Sequence, residues 1–219
     1  MILHIETSTK ICSVALSRNG ELVGCIESSS DQFIHGEALT RMVQELLRQN
    51  TLDISCLSAV SVAIGPGSYT GLRIGLATAK GLVFGLGVQF IGISSLESLT
   101  ELARKKYPKA SIAAAFDARR DEVFLRIQQD DRIFLNDQPV IITQTYSSPI
   151  SPLIWVGDAN SKLKSVLTNV EHVFEDDILP SASGQVRIAF KRFVSGEFDD
   201  IEQIKPNYTK AFYSGTSNV

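Results

Sequence analysis

The sequence predicts an α/β protein of two similar lobes, because one order of strand, hairpin and helix patterns occurs in the first half and partly repeats in the second. In each half an apolar strand ends on an acidic residue, Glu6 in the first and Asp117 in the second, before a turn and a hairpin. We therefore expect two ribonuclease-H-like lobes that face each other across a cleft. One mixed sheet with helices on both faces is the alternative, and periodicity alone does not separate the two.

The first lobe is expected over residues 1–106, with short apolar or alternating segments as strands and longer amphipathic segments as helices. Asn19 and Gly20 tolerate the positive φ of a tight hairpin turn. Ser94 and Glu97 form a capping box that starts a helix ending near Lys106. The expected strands are Ile2–Ile5, Ile11–Ser17, Glu21–Glu27, Ala59–Ile64 and Val88–Ile93. The other expected helices are Gly36–Arg48 and a segment that runs from the end of Gly65–Gly71 to about Phe84.

The second lobe is expected over residues 107–219, with the boundary near Tyr107 and Pro108. Its expected strands and helix are Ala113–Phe116, Glu122–Gln128, Ile133–Asn136, Leu153–Val156 and the helix Ala159–Leu167. His172 lies in another strand-like segment. This division leaves room for the C-terminal tail to pack back on the first lobe.

Composition is that of a globular protein, with 219 residues, of which 44% are hydrophobic and 21% are charged. The formal charge is −3, whereas a chain that grips RNA through its own phosphate contacts normally carries a basic excess. Any nucleic-acid role is therefore expected to be shared with a partner. Cys12, Cys25 and Cys56 lack metal-binding spacing, which indicates reduced thiols in a cytoplasmic protein.

Targeting and membrane patterns are not expected in this chain. The first five residues lack the basic region of a signal peptide. The most apolar stretch, Leu82–Ile93, is too short to cross a bilayer.

The glycine-rich loop Gly65–Gly71 leads from a buried strand into a helix, an arrangement that often cradles phosphate. A Walker loop requires a lysine, and none occurs in this loop. The dinucleotide-binding fingerprint requires its third glycine where Thr70 stands. The spacing therefore favours a tight turn over a phosphate cradle.

The helix after this loop carries small residues that repeat every four positions in two rows. The rows are Gly71, Gly75 and Ala79, and Ala77, Gly81 and Gly85. Each interior glycine costs about 1 kcal/mol of helix stability relative to alanine, so three cost roughly 3 kcal/mol. A closely packed neighbour is expected to offset that cost. A helix of the same chain is the default neighbour, and a subunit interface edged by Arg73 and Lys80 is the alternative.

Glu6, Thr7 and Ser8 stand where the first strand turns. In kinase-like ATPases an acid here helps to hold a metal–nucleotide complex, and hydroxyls help to hold phosphate. In other proteins the same residue types form an ordinary capped turn, and the spacing leaves both interpretations open. Asp117 is the expected counterpart on the opposite side of the cleft.

The histidines do not form a recognisable catalytic or metal-binding group. His35 stands near a helix start, but Leu39 occupies the position where a second helical ligand would stand. His4 and His172 lie in separate strands, and neither has a triad context. We therefore expect no catalytic residue and no metal.

The segment Gly65–Leu82 closely resembles the glycine-rich loop and helix of the TsaB (YeaZ) family. Four further segments resemble that family in the same order, namely its first strand and turn, its histidine-containing helix start, its Asp-Ala-Arg-Arg motif and its C-terminal Pro-x-Tyr. They are Ile2–Thr9, His35, Phe116–Phe124 and Lys205–Tyr208. The similarity covers nearly the whole chain and is weakest over Asp137–Ile150.

This resemblance implies the paired-lobe fold of actin, hexokinase and the Hsp70 ATPases, and a non-catalytic scaffold role in threonylcarbamoyladenosine synthesis on tRNA. It implies pairing of the chain with itself or with a TsaD homologue, the subunit that transfers the threonylcarbamoyl group to adenine beside the anticodon. A TsaE homologue is the third expected partner, and tRNA is expected only through the complex. No cofactor is expected on the chain alone, while ATP and Mg²⁺ fit within the complex.

The resemblance also assigns partner contacts to the first-lobe helices. The residues are His35, Leu39, Met42, Gly71, Arg73, Gly75, Ala77, Ala79, Lys80 and Gly81. The sequence departs from the family where Glu6 replaces an aspartate and Asp121 replaces a glycine. Gly157 and Asp158 stand where kinase-like relatives carry paired glycines near adenosine. An independent ATP-binding enzyme or a glycoprotease-like peptidase is the alternative function.

Overall fold

Two five-stranded mixed sheets carry the fold. The structure is a computed structural model that describes residues 1–29, 35–168 and 172–207. The strands of the first sheet are β1 (Ile2–Glu6), β2 (Ile11–Arg18), β3 (Glu21–Ser29), β4 (Ala59–Gly65) and β5 (Gln89–Ser94). Those of the second are β6 (Ile112–Asp117), β7 (Glu122–Gln129), β8 (Arg132–Ile141), β9 (Leu153–Val156) and β10 (His172–Glu175).

The two sheets share one strand order, which is β3-β2-β1-β4-β5 in the first and β8-β7-β6-β9-β10 in the second. In each sheet the first three strands form an antiparallel meander, and the last two add in parallel beside the first. Strand β1 therefore corresponds to β6, and the turn after β1 corresponds to the turn after β6. The predicted pair of ribonuclease-H-like lobes is confirmed, and the alternative of one mixed sheet is wrong.

The α-helices of the described ranges are α1 (His35–Gln49), α2 (Tyr69–Leu86), α3 (Ser95–Lys106), α4 (Asn160–Val166) and α5 (Val186–Val194). Short 3-10 helices lie at Ile54–Cys56 and Ala182–Gln185. The predicted start of α3 is confirmed, because the Ser94 side chain accepts the N–H of Glu97 at 3.1 Å. Helix α2 ends at Gly87, whose φ of 65° is the left-handed cap that glycine favours.

The first sheet is covered on both faces. Helices α1 and α2 pack on one face, in a cluster that includes Ile5, Leu46 and Val83. Helix α5 packs on the other face, where Ala189 is buried among Ile2, Ala59, Ile91 and Ile93. Strand β4 is consequently buried almost throughout, as parallel strands between two helical layers normally are.

Residues 182–207 return from the second sheet to the first. The sequence predicted such a return only for the C-terminal tail. The side-chain amide of Gln185 donates to the carbonyl of Ile5 at 2.7 Å. The N–H of Asp199 donates to Phe90 O at 3.0 Å, and that of Asn207 donates to Ile64 O at 2.6 Å. Tyr208, the end of the resemblance to the C-terminal motif, lies outside the described residues. The division at residue 107 stays a prediction.

Candidate functional site

The turn after β1 is held under the start of α2. The hydroxyl of Thr7 donates to the carbonyl of Gly71 at 2.8 Å, and the N–H of Ser68 donates to the carbonyl of Ser8 at 2.6 Å. A Cβ at Gly71 would overlap the Thr7 carbonyl oxygen, and a Cβ at Gly75 would overlap the Thr7 hydroxyl. The helix backbone therefore lies directly on the turn, and only glycine permits this approach.

Five residues predicted to contact a partner lie inside the chain instead. They are Leu39, Met42, Gly71, Gly75 and Ala79. Leu39 and Met42 belong to the cluster between α1 and the first sheet, and Ala79 belongs to the cluster under α2. The partner-interface prediction is wrong for these five, because the first sheet of the same chain already occupies their faces of the helices. A helix of the same chain was the default neighbour expected for α2. For Gly71 and Gly75 the observed neighbour is instead the turn after β1.

Glu6, Thr7 and Ser8 were predicted to line a nucleotide cleft, and the structure contradicts that prediction. Their exposed fractions are 0%, 0% and 1%, because α2 and its preceding loop cover the turn. A ligand phosphate cannot reach these side chains while the cover is in place. The turn is a closed packing contact. Of the two interpretations that the spacing left open, this agrees with the ordinary capped turn.

Burial gives Glu6 an unusual protonation state. Loss of hydration raises its pKa from 4.5 to about 7, although the hydrogen bond that the Ser8 N–H donates acts in the opposite direction. The Ser8 N–H donates to Glu6 Oε1 at 2.8 Å. The other carboxyl oxygen is buried without a hydrogen-bond partner among the described residues.

His4 lies two residues before Glu6 and is also fully buried. Its Nδ1 and Nε2 atoms are each 2.7 Å from a serine hydroxyl, Ser61 and Ser17 respectively. Burial lowers the pKa of His4 to about 3, so the imidazole is neutral in the folded protein near pH 7. This histidine is a satisfied core residue.

Asp117 ends β6 at the place that corresponds to Glu6, yet its side chain is 51% exposed. Lys162 Nζ lies 2.7 Å from Asp117 Oδ1, and the N–H of Arg119 donates to the same oxygen at 2.8 Å. Partial burial alone would raise the pKa of Asp117, but the hydrogen bonds and charges of Lys162 and Arg119 outweigh it and hold the pKa below its usual value. Of the four predicted cleft residues, Asp117 alone is accessible.

The outer face of α2 is exposed and smooth. We define it by Arg73, Ala77, Gly81, Phe84 and Gly85. A Cβ at Gly81 or Gly85 would meet no atom within 4 Å, in contrast to Gly71 and Gly75. Phe84 is 87% exposed, and the Arg73 guanidinium stacks on the Tyr69 ring at 3.8 Å.

The remaining predicted interface residues divide between this face and the start of α1. Arg73, Ala77 and Gly81 lie on the outer face, and Lys80 is half-buried beside it. His35 is the first residue of α1, but its side chain lies outside the described part of the chain. Sequence reasoning missed Phe84, although an aromatic residue between two glycines of the outer row was a usable signal.

Metal-binding and membrane-spanning features are not evident in the described ranges. No three His, Cys, Asp or Glu side chains among residues 1–29, 35–168 and 172–207 are grouped as a cation would require. Nor does any helix in those ranges combine the length and apolarity needed to span a bilayer.

The paired sheets define the class: an α/β protein of two ribonuclease-H-like lobes that share one strand order. Residues 30–150 match the family model described as "TsaD: tRNA N6-adenosine threonylcarbamoyltransferase". The tRNA threonylcarbamoyladenosine biosynthesis protein TsaB of Escherichia coli K12 is 29% identical over 95% of this chain and 94% of that protein. The protein of the same description from Bacillus subtilis 168 is 30% identical over 77% and 76% of the two chains.

Solved structures agree with these relatives. YeaZ from Pseudomonas aeruginosa superposes with a TM-score of 0.83 and 26% identity, over 94% of this chain and 98% of that one. A second Pseudomonas aeruginosa structure, described as similar to the peptidase YEAZ, gives a TM-score of 0.85 at 26% identity, over 95% and 99%. The chain belongs to the TsaB (YeaZ) family.

Proposed function

We propose that this chain is a non-catalytic subunit that pairs through the outer face of α2 and supports the transfer of a threonylcarbamoyl group to adenine beside the tRNA anticodon. Its proposed partner is a homologue of TsaD, the transferase, and a TsaE homologue joins the pair. The observation that carries the proposal is the outer α2 face, where Phe84 is 87% exposed between two glycines.

The energetics of that face favour a partner. Gly81 and Gly85 cost about 1 kcal/mol each in an exposed helix, and no contact within the described chain offsets this. Burying the ring of Phe84 in an interface would return roughly 2–3 kcal/mol. A flat row of small residues beside one aromatic anchor allows a second helix backbone to approach closely, and such anchors dominate subunit association.

A related fold on the partner explains how one face can serve two pairings. The match of residues 30–150 to the TsaD family model spans α1 and α2, so both proteins carry equivalent helices. Equivalent helices can meet around a two-fold or pseudo-two-fold axis. We therefore expect a homodimer for the isolated chain and a heterodimer when the TsaD homologue is present.

The closed turn after β1 supports a non-catalytic role. Glu6, Thr7 and Ser8 are buried, so the chain alone offers no open acid-and-hydroxyl site for ATP and Mg²⁺ at this position. We assign the binding of ATP and Mg²⁺ to the complex, which we place in the cytoplasm. The chain contacts tRNA only as part of that complex. An independent ATP-binding enzyme or a peptidase is the alternative function. The peptidase alternative is favoured by the description of one structural relative, which contains the phrase "similarity to peptidase".

Reconstitution tests the proposal. The chain, the TsaD homologue and the TsaE homologue are incubated with an activated threonylcarbamoyl donor and unmodified tRNA, singly and together, and the modified nucleoside is measured by mass spectrometry. We expect product only when the chain and the TsaD homologue are both present, and nucleotide turnover by the chain alone would contradict the proposal. Gly81→Leu should prevent both pairing and product formation, whereas Lys105→Leu, an exposed position on α3, should prevent neither.

A further inference from the structure

The turn after β6 carries two adjacent arginines in a conformation that side chains rarely adopt. Arg119 has φ 67° and Arg120 has φ 51°, so both residues lie in the left-handed region. Glycine and asparagine occupy this region at little cost, whereas arginine is strained there. The chain itself uses the favoured pair, Asn19 and Gly20, in its β2–β3 hairpin. We call residues 118–121 the twin-arginine turn.

The twin-arginine turn is held from several sides. The N–H of Ala118 donates to Glu122 O at 3.1 Å, and the N–H of Glu122 donates to Arg119 O at 3.2 Å. Lys162 Nζ binds both Asp117 Oδ1 at 2.7 Å and Glu122 O at 2.8 Å. The strained backbone is thus fixed by neighbours on both strands, which is the situation in which strain marks a functional position.

The contacts that hold the turn leave the side chains of Arg119 and Arg120 accessible to a ligand. Arg119 and Arg120 are exposed, and neither guanidinium forms a salt bridge with any acid in the described ranges. Asp117 is bonded to Lys162 and to the Arg119 N–H, and the charge of Arg119 also acts on this carboxylate. Asp121 is exposed on the same turn. Lys10 lies on the corresponding turn of the first lobe, and its charge favours the ionised form of Asp158, which lies beside Asp117.

The two corresponding turns therefore differ in a consistent way. The turn after β1 is sealed under α2, while the turn after β6 is open and presents two fixed positive charges. We propose that the twin-arginine turn is a phosphate-binding site for the backbone of tRNA, in which Arg119 and Arg120 donate to phosphodiester oxygens. This inference rests on the proposed function, since that function supplies RNA as the anionic ligand.

Guanidinium groups suit this ligand because their planar donors pair with two phosphate oxygens at once. Two contacts of this kind add affinity without reading sequence. They also suit a chain with a formal charge of −3, since a local pair of arginines is enough to orient RNA that a partner holds. The held turn fixes the backbone of both residues in advance, so little backbone entropy is lost on binding.

The test replaces the strained pair with the residues that the backbone favours, as Arg119→Asn with Arg120→Gly. Binding of a fluorescent unmodified tRNA transcript is measured by anisotropy at several salt concentrations, for the complex with the TsaD homologue and for the chain alone. We expect roughly tenfold weaker binding, with the slope of log K against log salt less negative by about 1–2. The variant should also melt about 2–4 °C higher, since the strain is relieved.

A control, Lys105→Gln with Lys191→Gln, removes two exposed charges elsewhere and should bind tRNA like the wild type. Unchanged tRNA affinity and salt slope in the arginine variant would overturn the inference. So would weakened ATP binding in calorimetry with tRNA binding intact, or weakened pairing with the TsaD homologue, since these place the arginines at a nucleotide or a protein carboxylate. Failure of the wild-type chain to pair with the TsaD homologue would sink the proposed function, whereas unchanged tRNA affinity of the arginine variant in a complex that does form would overturn this inference alone.

Discussion

Thr7 and Gly75 are in direct contact, with the threonine hydroxyl in the space that a Cβ on the helix would occupy. Six residues further along α2, Gly81 faces open space. One helix therefore carries two kinds of glycine, one that allows the helix to lie on its own lobe and one that leaves an outer surface flat.

Alanine substitutions should separate these two glycines. Gly75→Ala places a methyl group against the Thr7 hydroxyl, and we expect a loss of about 2–3 kcal/mol in the free energy of unfolding from this overpacking. Gly81→Ala meets no atom and should gain about 1 kcal/mol from helix propensity. Urea unfolding followed by circular dichroism, at concentrations where the chain is monomeric, measures both. Equal effects of the two substitutions would show that this assignment of faces is mistaken.

The buried pair Glu6 and His4 should give opposing pH dependences of stability. Glu6 has its pKa raised from 4.5 to about 7, so the folded state binds more protons than the unfolded state in this window, and stability falls as pH rises from 4.5 to 7. The effect amounts to roughly 3 kcal/mol across the window. His4 has its pKa lowered from 6.5 to about 3, so the unfolded state binds more protons and stability falls as pH drops below 6.5.

Between pH 4.5 and 6.5 the two contributions cancel in large part, and Glu6→Gln should reveal the one from His4. We expect the variant to lose stability on acidification from pH 6.5 to 5 more steeply than the wild type. Denaturant unfolding at a series of pH values measures the slopes. Exposed Glu202→Gln is the matched control, and parallel slopes for Glu6→Gln and the wild type would contradict the burial of an acid with a raised pKa.

Gln185 joins the returning C-terminal segment to the centre of the first sheet. Its amide donates to Ile5 O at 2.7 Å and accepts from the Ser61 hydroxyl at 2.7 Å, and all three residues are buried. Gln185→Ala removes both hydrogen bonds from a buried site, while the Ser61 hydroxyl keeps its contact with His4, and we expect a loss of about 2–4 kcal/mol. Gln203→Ala, at an exposed position, should change stability by less than about 0.5 kcal/mol. Comparable losses for both variants would mean that the segment is not anchored at Gln185.

The lobes and most elements could be predicted from the sequence because their signals are local. The Asn19-Gly20 turn and the Ser94 cap of α3 rest on residues within four positions of each other, and the structure contains both. The pair of lobes followed from the repeat of these local units in the second half. Helix α5 was missed, and its packing on the first sheet joins residues about 100 to 190 positions apart.

The orientation of α2 could not be predicted, because its two rows of small residues have the same spacing. Which row faces inward depends on Thr7, which lies 64 positions before Gly71 and contacts only one row. The same long-range contact closes the turn of Glu6, so three of the four predicted cleft residues and the inner row of α2 are buried together. Asp117, by contrast, ends β6 beside a turn closed by its own strands, and its side chain is exposed, while its place in a cleft stays a prediction.

The outer face of α2 is tested most directly by Phe84→Glu, because Phe84 is 87% exposed and its loss removes no contact of the core. The dissociation constant of the pair with the TsaD homologue is measured by size-exclusion chromatography with light scattering and by titration calorimetry. We predict at least about a hundredfold weaker pairing, since a buried glutamate replaces the aromatic anchor, and an unchanged melting temperature at concentrations where the chain is monomeric. Pairing as tight as that of the wild type would contradict it.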